Sequence, residues 1–446
     1  MPSTVREIAL RIIIKCEKDS AYSNLELNNE LKKNSFSDVD RAFLTQLVNG
    51  TLEKFVIIDY YIKVYSKIKI SKMSSIIKNI LRLGIYQILF LDRVPDSAVC
   101  NESVIITKKF IGNNLSGFVN GVLRTISREK EKDILPIRET DEIKYLSLKY
   151  SVPLWIVNLF INAYGEKKCE QIISSNQISN QSSIRVNTNK TDFISLKCLL
   201  NEEEIEINKN SLLENSASIK FNCNIENLNA YKLGLFHIQN CSCQLCCFVL
   251  NPKENESILD ICSAPGGKTF TISQLMKNTG NICALDLHKH RVKLVKNGAF
   301  RLGLSNITAK EMDASKPMGF PKNLFDKILC DVPCSGLGVI NNKPDIMLKQ
   351  ENSIDELPSL QRKLLENASI HLKIGGTLVY STCTLNPKEN EDIINSFIKE
   401  NGNFVFNDIS EFIPKKINAI KDFGYFTILP SEEWDGFFIS SIKKIM

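Results

Sequence analysis

The sequence predicts a multidomain fold: an all-α bundle over residues 1–140, a small α+β subdomain over 141–235, and an α/β domain built on a parallel sheet over 236–446. Three observations carry this. At 446 residues the chain exceeds what one hydrophobic core holds together. Apolar residues recur at helical spacing through the first 140 positions. From about residue 250, short apolar runs alternate with helical stretches, the rhythm of a parallel sheet covered on both faces.

In chain order, "SDVDRAFLTQLVNGTLEKF" places Phe43, Leu44, Leu47 and Val48 on one helical face, and Ser37 and Asp38 can cap its start. "SSIIKNILRLGIYQILFL" repeats the pattern through Ile76, Ile77, Ile80 and Leu81 to Ile88 and Leu89, ending near "DRVPDS". "NNLSGFVNGVLRTISRE" closes the bundle, and the polar "REKEKDILPIRETDE" predicts a linker. Between 141 and 235, "VPLWIVNLFINAYG" predicts a helix and "SSIRVNTNK" a short strand, with weak periodicity elsewhere. Five strands follow, in "ESILDIC", "NICALD", "NITAKEM", "FDKILCD" and "GTLVYSTC". Sheets of this kind bind ligands in the crevice at the carboxyl ends of their strands, so the functional residues are sought there.

Hydrophobic residues make up 43% and charged residues 24% of the chain, the balance of a soluble globular protein. No window approaches the ~18 apolar residues of a membrane span, and no apolar core follows a basic N-terminal segment, so a cytoplasmic location is expected. Fourteen cysteines spread over so long a chain read as reduced thiols. The net charge of +6 is confined to residues 1–140, with 22 Lys and Arg against 16 Asp and Glu, while 141–446 carry 34 of each sign. That excess suits an anionic partner such as RNA, and an uneven solvated surface equally. Nothing calls for a second copy, and a monomer is expected.

The first strand of the α/β half ends in "DICSAPGGKT", residues 260–269. Pro265 fixes a turn, Gly266 and Gly267 let the backbone approach a ligand, and the helix after Lys268 presents free N–H groups. This is neither a GxGxxG fingerprint nor a P-loop. Asp286 ends the second strand, placed to bind ribose hydroxyls, and Asp313 ends the third, in reach of an adenine edge. Three consecutive carboxyl-end acids favour a nucleoside-bearing ligand over three helix caps. The fourth strand ends at Asp331, followed by Pro333 and Cys334, and the fifth runs into Cys383. Strands ~4.8 Å apart would aim both thiols into one crevice, whereas Cys330, inside its strand, reads as a small buried hydrophobe.

"DICSAPGGKT", "DVPCSGLGVINNKPDI", "YSTCTLNPKENE" and "DGFF" (435–438) resemble the motifs of the RNA cytosine-5 methyltransferases, with Pro344, Asp345 and Asn390 fitting the same pattern. "DRAFLTQLVNGTL", "ILRLGIYQILF", "RVPDSAVCNESV" and "FVNGVLRTI" resemble the helical RNA-binding domain of the antitermination factor NusB. The resemblance implies a NusB-like bundle, a small α+β RNA-contacting subdomain and a Rossmann-like methyltransferase domain. It implies S-adenosylmethionine (SAM) as cofactor and 16S ribosomal RNA or a small-subunit precursor as partner, with the cytosine at position 967 in the usual numbering as target. It assigns Cys383 as the nucleophile that adds to carbon 6, Asp331 as the acid gripping the base near ring nitrogen 3, and Cys334 as the thiol for product release. Cys262, Ser263, Ala264, Pro265, Gly266, Gly267 and Lys268 then surround the amino-acid moiety of the cofactor, Asp286 its ribose and Asp313 its adenine, with Asp331 bordering the methyl group. A free cysteine, with pKa ~8.5, is mostly protonated at neutral pH, so the nucleophile needs a nearby cation; Lys268 is a candidate.

Other features point less sharply. Cys243 and Cys246 have CxxC spacing, but no second ligand pair follows, and no metal is expected. Arg185 in "IRVN" matches a substrate-side motif and suits a phosphate or a structural role equally. Arg291 suits bracing of Asp286 or a solvated helix face, and Asn240 stands where the family usually has an acid. Within the same chemistry the rival substrate is a transfer RNA or another ribosomal cytosine. From a different class, the rival is a non-catalytic RNA-binding assembly factor. An amine methyltransferase is disfavoured because Cys334 follows Pro333 where those enzymes place an aromatic.

Overall fold

Helical spacing in the first third becomes helices whose apolar faces meet in one core. The structure, a computed structural model, describes residues 4–19, 21–175, 182–220 and 225–446. It divides the chain into two units, each with its own interior. The first runs to Ser174 and takes in Ile340–Glu351; the second holds the rest.

The first unit contains α1 (Val5–Asp19), α2 (Ser23–Lys33), α3 (Asp38–Glu53), α4 (Phe55–Tyr65), α5 (Ser75–Phe90), α6 (Asp96–Phe110), α7 (Ser116–Glu129), α8 (Glu142–Tyr150), α9 (Leu154–Tyr164) and α10 (Glu166–Ser175). Ser37 caps α3 by accepting from the Asp40 N–H. Leu44, Leu47 and Val48 of that helix, with Ile77, Ile80, Leu81 and Ile88 of α5, are buried in a common core, and Phe43, Ile76 and Leu89 pack at its margin. Arg82 is almost fully buried in that helical unit and is matched by Asp59 and Glu17, at 2.6 and 2.9 Å. The linker read over residues 128–142 is the turn region between α7 and α8. Helices α8 to α10, grouped in the sequence reading with the small subdomain, lie in this unit apart from the last residue, Ser175.

The excursion over 340–351 is the part of this unit that local patterns do not announce. A short 3-10 helix, Pro344–Leu348, packs against α1, α3 and α4. Pro344, Ile346 and Met347 are buried there, and Asp345 accepts from the Ser23 hydroxyl at 2.7 Å.

The second unit opens with β1 (Ser182–Val186), α11 (Phe193–Glu202), β2 (Ile207–Lys209), β3 (Ser216–Ile219), α12 (Asn229–Lys232) and β4 (Phe236–Ile238). The four strands form an antiparallel sheet of order β2-β3-β1-β4. Then come α13 (Cys241–Leu250), β5 (Ser257–Asp260), α14 (Gly267–Leu275), β6 (Asn281–Asp286), α15 (Lys289–Leu302), β7 (Ile307–Glu311), β8 (Phe325–Asp331), α16 (Leu357–Ser369) and β9 (Leu372–Thr382). The chain closes with α17 (Glu391–Glu400), β10 (Phe404–Phe406), β11 (Ala419–Asp422), β12 (Tyr425–Ile428) and β13 (Phe437–Lys444).

The five expected strands are present and parallel, but the sheet as a whole is mixed. Its order is β11-β12-β13-β9-β8-β5-β6-β7, with β10 pairing β13, and every pairing that involves β10 to β13 is antiparallel. Helix-length gaps announce parallel strands in sequence; of these late strands β11 and β12 meet through a tight turn at Phe423 and Gly424, which a strand–helix rhythm does not register. Apolar side chains fill both faces, Leu259, Ile328 and Leu378 on one and Ile258, Leu329 and Val379 on the other. The thirteen described cysteines are free thiols, and Cys223 lies outside the described residues. No helix among the described residues is long and apolar enough to cross a membrane.

Candidate active site

After β5 the chain runs outward through β6 and β7, then returns to β8 on the other side of β5. Such a reversal splays the loops after β5 and β8 and opens a crevice between them. The loop after β5 holds Cys262, Ser263, Ala264, Pro265 and Gly266, and leads into α14 at Gly267 and Lys268. Gly266 has φ +114°, and a β-carbon there would lie 2.3 Å from the Phe270 ring, so only glycine makes this turn. Ser263 is tied to Leu285 of the next strand by its N–H and its hydroxyl. The first-turn N–H groups of α14 lack partners within their own helix.

The loop after β8 begins at Asp331, whose carboxylate is held from two sides. Lys268 Nζ donates to Oδ2 at 2.7 Å and the Ser381 hydroxyl to Oδ1 at 2.9 Å. The same ammonium donates to Cys243 Sγ at 3.3 Å and lies 5.2 Å from the centre of the Phe437 ring. Burial is the largest single influence and would lower the pKa of this ammonium, but Asp331, Cys243 and Cys246 together outweigh it and hold the pKa well above the ordinary lysine value. Cys243, read in sequence only as half of a CxxC pair, is thus a third thiol at the crevice, its pKa pushed up to about 11 by burial against the opposing pull of Lys268.

Strand register sets the two motif thiols together. Asp331 of β8 pairs with Ser381 of β9, so the loops that follow leave side by side, and Cys334 Sγ lies 3.3 Å from Cys383 Sγ. Both side chains are half-buried. The Gly338 N–H donates to the Cys383 carbonyl at 3.0 Å and the Gly436 N–H to the Gly338 carbonyl at 2.8 Å, so "DGFF" braces the loop that carries Cys383. The hydrogen bond to Cys383, and then burial, keep the Cys334 thiol well above its ordinary pKa. Cys334 therefore favours its protonated form, and either sulfur can donate in the bond between them.

Beneath the thiols lies a carboxylate that the sequence reading did not single out. Glu389 is fully buried. Its Oε2 accepts from the Ser335 N–H and from Gln361 Nε2, both at 2.9 Å; its Oε1 accepts from the Ser335 hydroxyl at 2.6 Å and from Asn386 Nδ2 at 3.0 Å. Gln361 also donates to the Pro333 carbonyl, and the Ser335 and Thr384 hydroxyls meet at 2.6 Å. Asn390 joins the Thr382 hydroxyl to the Thr384 carbonyl across Cys383. The signal in sequence was a Glu one residue before Asn390, inside a quoted motif; its burial required the fold.

The remaining predicted residues are distributed as follows. Asp286 is buried at the end of β6 and accepts from the Ala264 and His288 N–H groups and from Arg291. Arg291 also donates to the Ala264 carbonyl at 2.8 Å, the bracing that its spacing allowed. A carboxylate has about four acceptor positions, so Asp286 keeps capacity for a further hydroxyl. Asp313 is partly exposed and accepts from the N–H and hydroxyl of Ser315, which, with Lys316, hold its pKa below the ordinary carboxylate range. Asp260, under the loop, accepts from Thr269 with one oxygen while the other is buried without a partner, and burial pushes its pKa up to about 7. Burial also holds the Cys262 thiol above its usual value.

Arg185 is not presented to a phosphate: it is 1% exposed, donates to the Glu214 carbonyl, and stacks over Phe248. Asn240 is the N-cap of α13, accepting from the Ser242 N–H. Cys330 is fully buried within β8. Asp345 belongs to the first unit, through Ser23.

Three family models match the chain: 16S rRNA methyltransferase RsmB/F over residues 247–443, the NusB family over 3–128, and an RsmF/B-like ferredoxin-like domain over 152–226. The chain is 39% identical over 446 residues to "Probable ribosomal RNA small subunit methyltransferase B" of Bacillus subtilis (strain 168), covering 99% of each. It is 32% identical to "Ribosomal RNA small subunit methyltransferase B" of Proteus mirabilis (strain HI4320), covering 99% of this chain and 98% of that one. Among solved structures, PH0851 aligns over 100% of both chains with a TM-score of 0.83 and 25% identity. A methyltransferase homolog protein from Pyrococcus horikoshii aligns over 68% of this chain and 99% of its own with a TM-score of 0.59 and 27% identity.

Proposed function

The chain belongs to the RsmB/F family of 16S rRNA methyltransferases and is a SAM-dependent rRNA methyltransferase; on that premise we propose that it methylates carbon 5 of a cytosine in 16S ribosomal RNA, through a covalent bond from Cys383 to the base. The target is the cytosine at position 967 in the usual numbering, and the reaction takes place in the cytoplasm. The observation that carries the reading is the pair of half-buried sulfurs 3.3 Å apart, beside the carboxylate of Asp331.

The residues present suit the cofactor. A turn that only glycine makes, first-turn N–H groups without partners in their own helix and the Lys268 ammonium fit a carboxylate-bearing amino-acid end, and Asp286 retains acceptor capacity for ribose hydroxyls. On this reading residues Cys262 to Lys268, Asp286, Asp313 and Asp331 hold SAM, which when bound supplies an electrophilic methyl group.

The chain's own residues do the rest. Carbon 5 of cytosine is a poor nucleophile until a thiolate adds to carbon 6. Cys383 makes that addition, and Asp331, fixed by Lys268 and Ser381, grips the ring at nitrogen 3, where negative charge develops. After carbon 5 is methylated, its proton leaves to a base, the 5,6 double bond re-forms, and the carbon–sulfur bond breaks with the electron pair returning to Cys383. Cys334, still protonated, donates toward the departing thiolate. For a base in a folded RNA, addition to carbon 6 requires the cytosine to be unstacked, and the basic helical unit supplies affinity.

Cys383→Ala tests the nucleophile: methyl transfer to 16S rRNA should vanish while SAM binding, measured by calorimetry, persists. Cys334→Ala tests release: a covalent RNA adduct resistant to denaturing gels should accumulate. Robust turnover by the first variant, or an absence of adduct in the second, would contradict the respective role. Mapping 5-methylcytosine in rRNA from cells lacking the protein identifies the target base.

A further inference from the structure

We propose that Glu389 is the positioning residue for product release, the buried carboxylate that sets Cys334 against Cys383; the inference rests on the reading of the two thiols given above.

A carboxylate out of contact with water is costly unless hydrogen bonds replace its hydration. Glu389 makes no ion pair with Lys or Arg among the described residues, and is satisfied by four neutral donors. Those donors come from three places: the residue directly after Cys334, helix α16, and the loop after Cys383. One charged group therefore ties together the two segments that carry the sulfurs, and Gln361 extends the tie to the Pro333 carbonyl on the other side of Cys334. Ser335 and Thr384, each next in sequence to a thiol, complete the bracket through their hydroxyls. Hydrogen bonds to an anion are shorter and stronger than neutral ones, so a carboxylate holds this geometry more tightly than the amide of Gln would.

The charge has a second consequence. Negative charge at Glu389 disfavours a thiolate at Cys334, in the same direction as the bond to Cys383 and burial. The release thiol is kept in its protonated form, the form that can donate to a departing thiolate. Removing the charge relaxes both distance and proton placement, and none of the four hydrogen bonds to Glu389 that it weakens is made by Cys383 Sγ, Asp331 or the loop over 262–268.

Glu389→Gln is the test, because it keeps the shape and exchanges an acceptor for an amide facing donors. Turnover is followed by transfer of labelled methyl to 16S rRNA, and trapped enzyme by denaturing gel during turnover. We expect kcat to fall about 10- to 100-fold, with the RNA KM and SAM affinity within threefold, and a denaturant-resistant adduct to accumulate as it does in Cys334→Ala. The double variant should fall no further than Cys334→Ala alone, since both act on one step. Turnover within twofold of wild type, loss of turnover without adduct, or additive losses in the double variant would each overturn the assignment. If Glu389→Gln loses its cooperative melt, Ser335→Ala decides, removing one hydroxyl bond while leaving the carboxylate: adduct supports the proposal and its absence overturns it. Absence of adduct in Cys334→Ala itself would instead refute the underlying two-thiol reading, so the two failures are distinguishable.

Discussion

Replacing Lys268 with Met tests whether the crevice is held by its ion pair. The ammonium is 12% exposed and lies 2.7 Å from Asp331, whose side chain is 27% exposed. Losing one partner of a buried pair costs about 3–5 kcal/mol, because the other charge is left uncompensated. Asp331 keeps the Ser381 hydroxyl and some access to water, which reduces the expected loss to about 2–3 kcal/mol. For a domain of this size, about 2–4 °C of melting temperature corresponds to each kcal/mol, so the variant should melt about 4–12 °C lower. Asp331→Asn should cost a similar amount by stranding the ammonium. The double variant should be less destabilised than the sum of the two by about 2 kcal/mol. Because the pKa of Lys268 is raised, the pair's contribution is fully present below the ordinary lysine pKa of about 10.4 and is lost only as pH rises through the higher folded value. The gap between wild type and Lys268→Met should therefore stay constant from pH 7 to 9. Melts of the four proteins at pH 7 and 9 decide the matter. A coupling under 0.5 kcal/mol, or a gap that closes between those pH values, would falsify the view that this pair organises the crevice.

Three further outcomes follow from particular residues. Asp260 has its pKa raised to about 7 by burial, so it contributes stability at acid pH that is lost as pH rises through that value; relative to Asp260→Asn, wild type should lose on the order of 3–4 kcal/mol between pH 4 and 7 in denaturant titrations. Gly266→Ala forces a β-carbon into the Phe270 ring at a φ that alanine resists, and should weaken SAM binding about tenfold or more by calorimetry, with a loss of about 1–3 kcal/mol in stability. At Gly338, a β-carbon would sit 2.1 Å from the Gly436 carbonyl oxygen; Gly338→Ala should shift the Cys383 loop and cut methyl transfer about 100-fold in single-turnover assays while SAM affinity holds.

What the sequence disclosed, and what it withheld, divides along physical lines. Local periodicity reports which face of a segment is buried, so α3, α5 and the five parallel strands were legible from Leu44, Ile80 and the apolar runs. Motif spacing reports where strands end, and it placed Asp331, Cys334 and Cys383 on neighbouring loops, which the β8–β9 register then brings together. Pairing across long separations has no local signature. The antiparallel strands after residue 400 went unread for that reason, and so did the burial of Arg185, which looks like a surface arginine until Phe248 covers it. Glu389 was hidden by its type: acidic residues are mostly solvated, and only the convergence of Ser335, Gln361 and Asn386 marks this one as interior.

The excursion over 340–351 bears on how the protein is made. The first 174 residues leave the ribosome well before the segment that carries Ile346 and Met347, so the helical unit is born with a gap among α1, α3 and α4. At ~5–20 residues per second, synthesis reaches Glu351 about 10–35 s later. A nascent chain must therefore wait with apolar surface bare, and one polypeptide crosses between the units three times, so no single proteolytic cut or gene truncation releases either unit intact.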